Sequence, residues 1–233
     1  LTNPKHEVKL SQGVTTEALG QDGLSYAPLS NDNYLMYRRY LSGILGFPPE
    51  DLDMSSVTAF RENYHNKVAI NTAYNIPHCA VRLEAVGFRD IPLKGEALEK
   101  AKNIVREGME QGAVGFATGL AYFPNSYSDT EEIIELCRAA NEKGGVYVTH
   151  LRTANPERGF EGGGVAEALE IGRQSGVPVH FSHYKTTPQT PGQVAQVTEL
   201  IDKAKVEGVD STMELYPYPS GSTVPLYFFP SYL

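Results

Sequence analysis

Apolar and polar positions alternate with a regular period along the second half of the chain. Polar, helix-forming stretches end at a glycine, and a short apolar run rich in β-branched residues follows each glycine. Glycine just past the end of a helix readily takes the left-handed conformation that other residues avoid. Helices and apolar strands that alternate in this way predict successive αβ units of a parallel sheet. Four such glycines stand 32 residues apart, at Gly112, Gly144, Gly176 and Gly208.

The pattern over the whole chain predicts six strands within one domain. We expect a helix over residues 94–111, and an insertion with short helices over residues 24–66, near the carboxyl edge or the side of the sheet. No linker or low-complexity tract divides the sequence, so residues 1–233 form one α/β domain, either a (β/α) barrel or an open doubly wound sheet. The predicted strands span residues 14–19, 67–73, 113–117, 146–150, 177–183 and 209–215.

Two histidines interrupt these apolar strands. Parallel strands that are buried on both faces should be almost entirely apolar, yet the predicted strands 146–150 and 177–183 end in His150 and His183. Adjacent strands lie about 4.8 Å apart, so two imidazoles at neighbouring strand ends can reach one metal ion at roughly 2.0–2.1 Å. The alternative is that each is a core or loop histidine bonded to a backbone carbonyl. The matching positions on neighbouring strands favour a metal site.

A third ligand would come from another strand end, and Asp22 is the best candidate. It lies in the segment Gly20-Gln-Asp-Gly23, directly after the first predicted strand, where the glycines allow a tight turn. An Asp that only bonds to a turn amide is an equally good interpretation of this segment. Two histidines and one carboxylate suit a catalytic Zn²⁺ or a similar ion with an open position for water. Such an ion makes water a nucleophile at neutral pH.

Other polar side chains follow the same strand ends. Lys185 and Arg152 each stand two residues beyond one of the histidines, and Tyr122, Tyr216 and Ser222 follow the strands on either side. Cations and hydroxyl groups around a metal suit a small substrate that carries a carboxylate. Lys185 could instead form a Schiff base with a carbonyl substrate, which is the main rival chemistry.

Composition narrows the class of partner. The 233 residues carry a formal charge of −8, which argues against nucleic acid or an anionic membrane surface as the main partner. With 41% hydrophobic residues the chain can bury a sizeable core. Cys79 and Cys137 are too few for a disulfide framework. No apolar run long enough for a membrane helix and no signal peptide are evident, so we expect a cytoplasmic location.

The motifs at the strand ends resemble those of the N-acyl-D-amino-acid deacylases (D-aminoacylases), a branch of the metal-dependent amidohydrolase superfamily. The resemblance runs through most of the chain, and its last three motifs are fairly specific in their order and separation. The matching segments are Gln12-Gly-Val-Thr-Thr16 with Gly20-x-x-Gly23, Gly112-Ala-Val-Gly-Phe-Ala-Thr-Gly119 with Tyr122, Thr149-His150-Leu-Arg152, Ser182-His183-Tyr-Lys185, and Tyr216-Pro-Tyr-x-x-x-Ser222-Thr223.

This resemblance implies a TIM-type (β/α)8 barrel, Zn²⁺ as one or two ions, and hydrolysis of an N-acyl amide by water that the metal activates. It implies that His150 and His183 are zinc ligands. It further implies that Lys185, Tyr216 and Ser222, with Tyr122, line the site for the substrate carboxylate.

The sequence also departs from the family pattern. Asp22 falls where D-aminoacylases typically carry a metal-binding Cys. A His-x-His pair at the end of strand one would fall before residue 1. The general-base Asp at the end of strand eight would fall after residue 233. We therefore expect residues 1–233 to be a barrel segment of strands two to seven, with strands one and eight missing and the segment alone lacking part of the catalytic machinery.

The sequence thus predicts a metal-dependent amide hydrolase that acts on N-acyl-D-amino acids or similar small amides. It leaves open whether the protein forms a homo-oligomer. Three alternatives remain: a cyclic amidohydrolase of the dihydroorotase or hydantoinase kind, a lyase that uses a Lys185 Schiff base, and a non-catalytic remnant barrel.

Overall fold

A computed structural model describes residues 3–218 and 220–229, and within them the strands form a single parallel sheet. The strand order along the sheet follows the order in the sequence, and every neighbouring pair is parallel. The sheet curls into half a barrel. This curl brings Gln21, in the turn after the first strand, into contact with Glu214, just after the sixth strand. The strands are β1 (Thr16–Leu19), β2 (Asn71–Pro77), β3 (Gly115–Gly119), β4 (Val146–His150), β5 (Val179–Phe181) and β6 (Ser211–Met213). The curl favours the barrel over the open sheet.

Helices connect the strands, and α6, α7 and α8 pack side by side on the outside of the sheet. The predicted helix at 94–111 is confirmed as α6, and Asp129 caps α7 by accepting a hydrogen bond from the Glu132 amide at 2.8 Å. The helices are α1 (Glu7–Leu10), α2 (Asn31–Tyr40), α3 (Ser42–Leu45), α4 (Val57–Glu62), α5 (His78–Val86), α6 (Gly95–Glu110), α7 (Thr130–Asn141), α8 (Gly164–Ser175) and α9 (Val194–Val206).

The glycine repeat marks helix ends as predicted. All four glycines have positive φ, and Gly176 directly caps α8. Each is followed by the next strand of the sheet within a few residues. The 32-residue period is therefore the length of one helix–turn–strand unit of this sheet.

The second strand lies later in the sequence than predicted. The prediction of residues 67–73 is wrong by about four residues, because β2 spans Asn71–Pro77 and α5 begins directly after it. Tyr74, Asn75, Ile76 and Pro77 of this strand are buried, whereas Asn71 is exposed. The preceding segment bonds elsewhere, since the Ala69 amide donates to the Pro4 carbonyl. The other strands lie within two residues of their predicted starts.

The insertion at 24–66 contains the three short helices α2, α3 and α4. Its aromatic residues belong to the main hydrophobic core: Tyr34, Tyr37 and Phe60 are buried. Phe60 stacks on Tyr74 of β2 with ring centroids 4.1 Å apart. The insertion therefore packs against the β1–β2 side of the half-barrel.

A buried ionic network lies between α5 and α7. Glu132 accepts hydrogen bonds from Arg82 at 2.6 Å, from His78 Nε2 at 2.8 Å and from the Leu93 amide at 2.7 Å. His78, Arg82 and Glu132 are all fully buried. Separating α5 from α7 would leave these buried charges unpaired, which is costly. The contacts therefore stabilise the packing of the two helices against each other. Within the described residues, no helix combines the length and the apolar character needed to cross a membrane.

Candidate functional site

Three predicted ligands meet at the carboxyl edge of the sheet. His150 Nδ1 lies 2.8 Å from His183 Nε2, and His183 Nε2 lies 3.3 Å from Asp22 Oδ1. Asp22 Oδ2 lies 3.7 Å from His150 Nδ1. These residues come from the turns or ends of β1, β4 and β5. Among the described residues, Asp22, His150 and His183 form the one group of three His, Cys, Asp or Glu side chains whose ligand atoms all lie within 4.8 Å of one another.

The two histidines reach the cluster by different routes. His150 is the last residue of β4 and stands opposite Gly119 in the register with β3. His183 lies two residues past the end of β5, with a left-handed backbone at φ 42°. Its amide donates to Glu214 Oε1 at 2.8 Å, which fixes this turn. Strand alternation therefore places His150, whereas a turn places His183.

Asp22 is held in the tight turn that its glycines predicted. The segment is a 3₁₀ turn in which Gly20, Asp22 and Gly23 all have positive φ. A Cβ on Gly20 would lie 2.1 Å from the Asn75 carbonyl oxygen, so the turn can approach β2 only with glycine at this position. The left-handed backbone of Asp22 is uncommon for a residue with a side chain. The turn directs its carboxylate across the mouth of the half-barrel.

Charge favours an ionised carboxylate in this cluster. Burial alone would raise the pKa of the Asp22 carboxyl, but hydrogen bonds from His150 and His183 outweigh it and lower the pKa to about 2. Burial disfavours a charged imidazole at His183, yet the hydrogen bond and charge of Asp22 outweigh it and raise the pKa of His183. The carboxylate is thus an anion throughout the neutral range and is available as a ligand.

The geometry of the cluster fits a divalent metal ion. Ligand atoms about 2.0–2.2 Å from a tetrahedral ion lie about 3.3–3.6 Å from one another. The three separations of 2.8, 3.3 and 3.7 Å bracket this range. Two imidazoles and one carboxylate also form the donor set of catalytic zinc sites, which leaves a position open. The residues present therefore fit the ion that the sequence predicted.

A set of polar contacts that the sequence prediction missed holds the ligands in place. Gln21 Nε2 donates to Ser182 Oγ at 2.6 Å and to Glu214 Oε1 at 3.2 Å. Glu214 Oε1 also accepts from the His183 amide. These contacts join the turn after β1 to the ends of β5 and β6. The only sequence signal for them is that all three residues are polar and lie beside strand ends.

Four of the predicted substrate residues surround this cluster. Lys185 Nζ lies 3.9 Å from the ring centre of Tyr216, and that ring lies 6.1 Å from His183. The ring of Tyr122 lies 5.0 Å from that of His150. Burial raises the pKa of the Tyr122 hydroxyl, so that it stays a neutral donor. Ser222 is exposed and borders a cavity shared with Tyr122.

Arg152 lies in a different environment from the other predicted substrate residues. Its Nε contacts both carboxylate oxygens of Glu167, at 2.9 and 3.0 Å, and both residues are buried. Glu167 also accepts from Thr130 Oγ1 at 2.8 Å. This pair joins the end of β4 to α7 and α8. The guanidinium group of Arg152 is therefore directed toward Glu167 in this structure.

A cavity of about 420 Å³ opens beside Asp22. On one side it is bordered by the turn after β1 and by Tyr122 and Ser222. On the other side it is bordered by the insertion, through α3 and α4 and the segments around them. The cavity lies within the range of roughly 300–1,000 Å³ that is typical of small-molecule sites.

A parallel α/β half-barrel with two histidines and a carboxylate at its carboxyl edge defines the class: it is the arrangement of metal-dependent hydrolases built on TIM-type barrels. The chain is 32% identical over 231 residues to the D-aminoacylase of Alcaligenes xylosoxydans xylosoxydans, covering 93% of this chain and 43% of that protein. It is 33% identical over 224 residues to the N-acyl-D-glutamate deacylase of the same organism, covering 95% of this chain and 44% of the relative.

A solved structure has the same fold. The N-acyl-D-glutamate deacylase of Bordetella bronchiseptica, complexed with zinc and a phosphonate inhibitor, superposes with a TM-score of 0.80 at 31% identity, covering 94% of this chain and 45% of that one. A comparison with models of protein families finds no match. The chain is therefore a homologue of the D-aminoacylases of the amidohydrolase superfamily over most of its length. It spans less than half the length of these relatives.

Proposed function

We propose that the protein containing this chain is a metal-dependent hydrolase that removes the acyl group from N-acyl-D-amino acids. The observation that carries the proposal is the convergence of His150, His183 and Asp22 at the carboxyl edge of the half-barrel. Homology to deacylases over most of the chain supports the substrate class. In the reaction, water cleaves the amide C–N bond: its oxygen bonds to the acyl carbon, and the amine leaves with a proton.

The six strands correspond, in this proposal, to strands two to seven of a (β/α)8 barrel. The match of 94% of this chain to 45% of a zinc-bound deacylase supports the assignment. Strands one and eight, with the ligands and the general-base Asp that the resemblance assigns to them, would belong to other parts of the protein.

His150, His183 and Asp22 would hold the metal ion. When bound, a divalent ion of this kind supplies a Lewis acid that polarises the acyl carbonyl and lowers the pKa of a water molecule. Asp22 provides a fixed negative charge, because its pKa lies near 2. Gln21 and Glu214 fix the turn after β1 relative to the turn after β5, so that the ligands are oriented before the ion binds.

Lys185 would bind the substrate carboxylate. Its ammonium group lies over the ring of Tyr216, a position that orients the cation without neutralising its charge. Tyr122 and Ser222 are hydroxyl donors near the same cluster, and both border the cavity next to Asp22. A carboxylate held by Lys185 would place the neighbouring amide near the two histidines.

The test compares two histidines of the same strand region in the full-length protein. His183→Ala should lose bound metal, measured by elemental analysis, together with hydrolysis of N-acetyl-D-methionine. His180→Ala is the matched control, because the His180 ring contacts Thr212 at 2.7 Å rather than the ligand cluster. This control should keep both bound metal and turnover. The L-enantiomer should be a poor substrate for the control and for the wild-type protein.

Hydrolysis that persists in metal-free His183→Ala would contradict the proposal. Faster turnover of hydantoins than of N-acetyl-D-amino acids would assign the site to cyclic amides instead. Trapping of a carbonyl substrate on Lys185 by borohydride would point to Schiff-base chemistry and overturn it as well.

A further inference from the structure

The cavity beside Asp22 has an unusual division between its walls. Its outer wall is formed by the insertion, mainly by apolar side chains such as Leu24, Ile44, Met54 and Phe60, with the hydroxyl-bearing Ser25, Tyr26 and Tyr64 among them. Its inner wall includes Asp22, which joins it to the ligand cluster. The cavity is therefore continuous with the proposed metal site and is far larger than an acetyl methyl group requires.

The charges of the wall limit what can occupy this space. Among the described residues that border the cavity, none is Lys, Arg or His, and Asp22 is the one with a charge. A carboxylate in the cavity would find no cation and would lie near an anion. Because burying an uncompensated charge is costly, the occupant is a neutral group, and the apolar side chains of the outer wall favour an apolar one.

The direction of the cavity identifies the part of the substrate. The residues proposed to bind the substrate carboxylate are Lys185, which follows β5, and Tyr216, which follows β6. The insertion that walls the cavity follows β1 and packs on β2. An amide at the ligand cluster has its amino-acid part on one side and its acyl chain on the other. With the carboxylate at the β5–β6 side, the acyl chain points toward the insertion.

We propose that this cavity is the acyl-chain site, and that the enzyme prefers N-acyl groups of intermediate length, such as hexanoyl, over formyl and acetyl. The inference rests on the proposed deacylase function and adds the acyl specificity to it. In this assignment the insertion at 24–66 determines which acyl groups are accepted.

The experiment measures kcat/KM of the full-length, metal-loaded protein for D-methionine that carries acetyl, butanoyl, hexanoyl or phenylacetyl groups. Each buried methylene contributes up to about fourfold, so hexanoyl should exceed acetyl by at least about tenfold. Leu45→Trp fills the cavity from α3 and should reduce the hexanoyl-to-acetyl ratio by at least about fivefold.

Met36→Trp is the matched control for this substitution. Met36 lies on α2, is 39% exposed compared with 41% for Leu45, and does not border the cavity. The side chains of Met36 and Leu45 are both exposed enough that a larger residue should be tolerated. Ile44→Trp, on α3 with Leu45, provides a second test of the cavity. The control should leave the hexanoyl-to-acetyl ratio within about twofold of the wild-type value.

Three results would overturn the inference. One is a wild-type preference for acetyl over hexanoyl. Another is a hexanoyl-to-acetyl ratio that Leu45→Trp and Ile44→Trp leave unchanged. The third is a change in preference among D-amino-acid side chains, at a fixed acetyl group, in place of the change in acyl preference. Turnover of N-acetyl-D-methionine with any of these would leave the deacylase function intact, whereas no turnover of any N-acyl-D-amino acid would reject that function itself.

Discussion

At the scale of single residues, the site depends on side chains that hold the ligands as much as on the ligands themselves. His183 stands past the end of its strand with a left-handed backbone, so its position depends on the hydrogen bond from its amide to Glu214. Gln21 bonds to the same Glu214 oxygen and links the Asp22 turn to this anchor. Glu214 is therefore a positioning residue for two of the three ligands.

This role predicts the effect of substitutions at Glu214. Glu214→Ala should weaken metal binding by about 10–100-fold, as is typical when a group that orients a ligand is lost. Glu214→Gln should restore most of the affinity, because its amide oxygen can still accept from the His183 amide. Competition with a chromogenic chelator measures the affinity.

Glu199→Ala provides the comparison and should bind metal normally, because Glu199 pairs with the exposed Lys203 on α9, away from the ligand cluster. Equal affinities for wild-type protein and Glu214→Ala would show that Glu214 does not position the ligands.

At the scale of elements, the turn after β1 has to approach the ends of β2 and β3 very closely. A Cβ on Gly23 would lie 2.8 Å from the Ala117 carbonyl oxygen, and one on Gly119 would lie 2.1 Å from the Asp22 carbonyl oxygen. The backbone of Gly119 lies outside the left-handed region, so the requirement for glycine there comes from this contact. The position of Asp22 thus depends on an element that follows it by almost a hundred residues.

Gly119→Ala should displace the Asp22 turn. We expect metal affinity to fall by at least about tenfold and the free energy of unfolding to fall by about 1–3 kcal/mol, because an added methyl must be accommodated in a packed contact. Chelator competition and urea denaturation measure the two effects.

Gly43→Ala is the matched control within α3, where an added Cβ meets no atom within 4 Å. It should not lower either quantity. Normal metal affinity in Gly119→Ala would mean that the turn can shift without moving the Asp22 carboxylate.

At the scale of the whole molecule, buried ionic groups connect the helices around the half-barrel. Burial lowers the pKa of His78 more than its contact with Glu132 raises it, so the imidazole is neutral in the folded protein. Burial acts to raise the pKa of Glu132, but His78 and Arg82 outweigh it and lower the pKa below its usual value. Both groups therefore bind fewer protons in the folded state than in the unfolded chain.

This difference predicts how stability depends on pH. As pH falls below about 6.5, the unfolded chain gains a proton at His78 that the folded protein does not bind, so the free energy of unfolding decreases. The contribution of Glu132 is present above its unfolded pKa and is lost at lower pH, as pH falls through its depressed folded value. Between pH 7 and 5, the free energy of unfolding of His78→Gln should therefore decrease less than that of the wild-type protein.

Urea denaturation at several pH values measures this slope. His180→Gln is the control, because the His180 ring contacts Thr212 outside the network, and it should keep the wild-type slope. If His78→Gln also kept that slope, the buried imidazole would not be the group that responds to acid.

The sequence by itself determined the repeating αβ units, the glycines that end the helices, and the three candidate ligands His150, His183 and Asp22, whose side chains converge in the structure. These features follow from local rules: the periodicity of side chains and the backbone freedom of glycine act over a few residues. The start of β2 was misplaced because its neighbours in space, rather than its own pattern, decide which residues pair.

Tertiary structure alone decided the contacts that complete the site. Gln21 bonds to Ser182 and Glu214, which are 161 and 193 residues away in the sequence. Arg152 stood in the same sequence position relative to its histidine as Lys185, yet Glu167 of α8 pairs with it inside the protein. The cavity beside Asp22 likewise forms only when the insertion packs against the half-barrel. Such contacts depend on where distant elements meet when the sheet curls, and no local periodicity encodes that meeting.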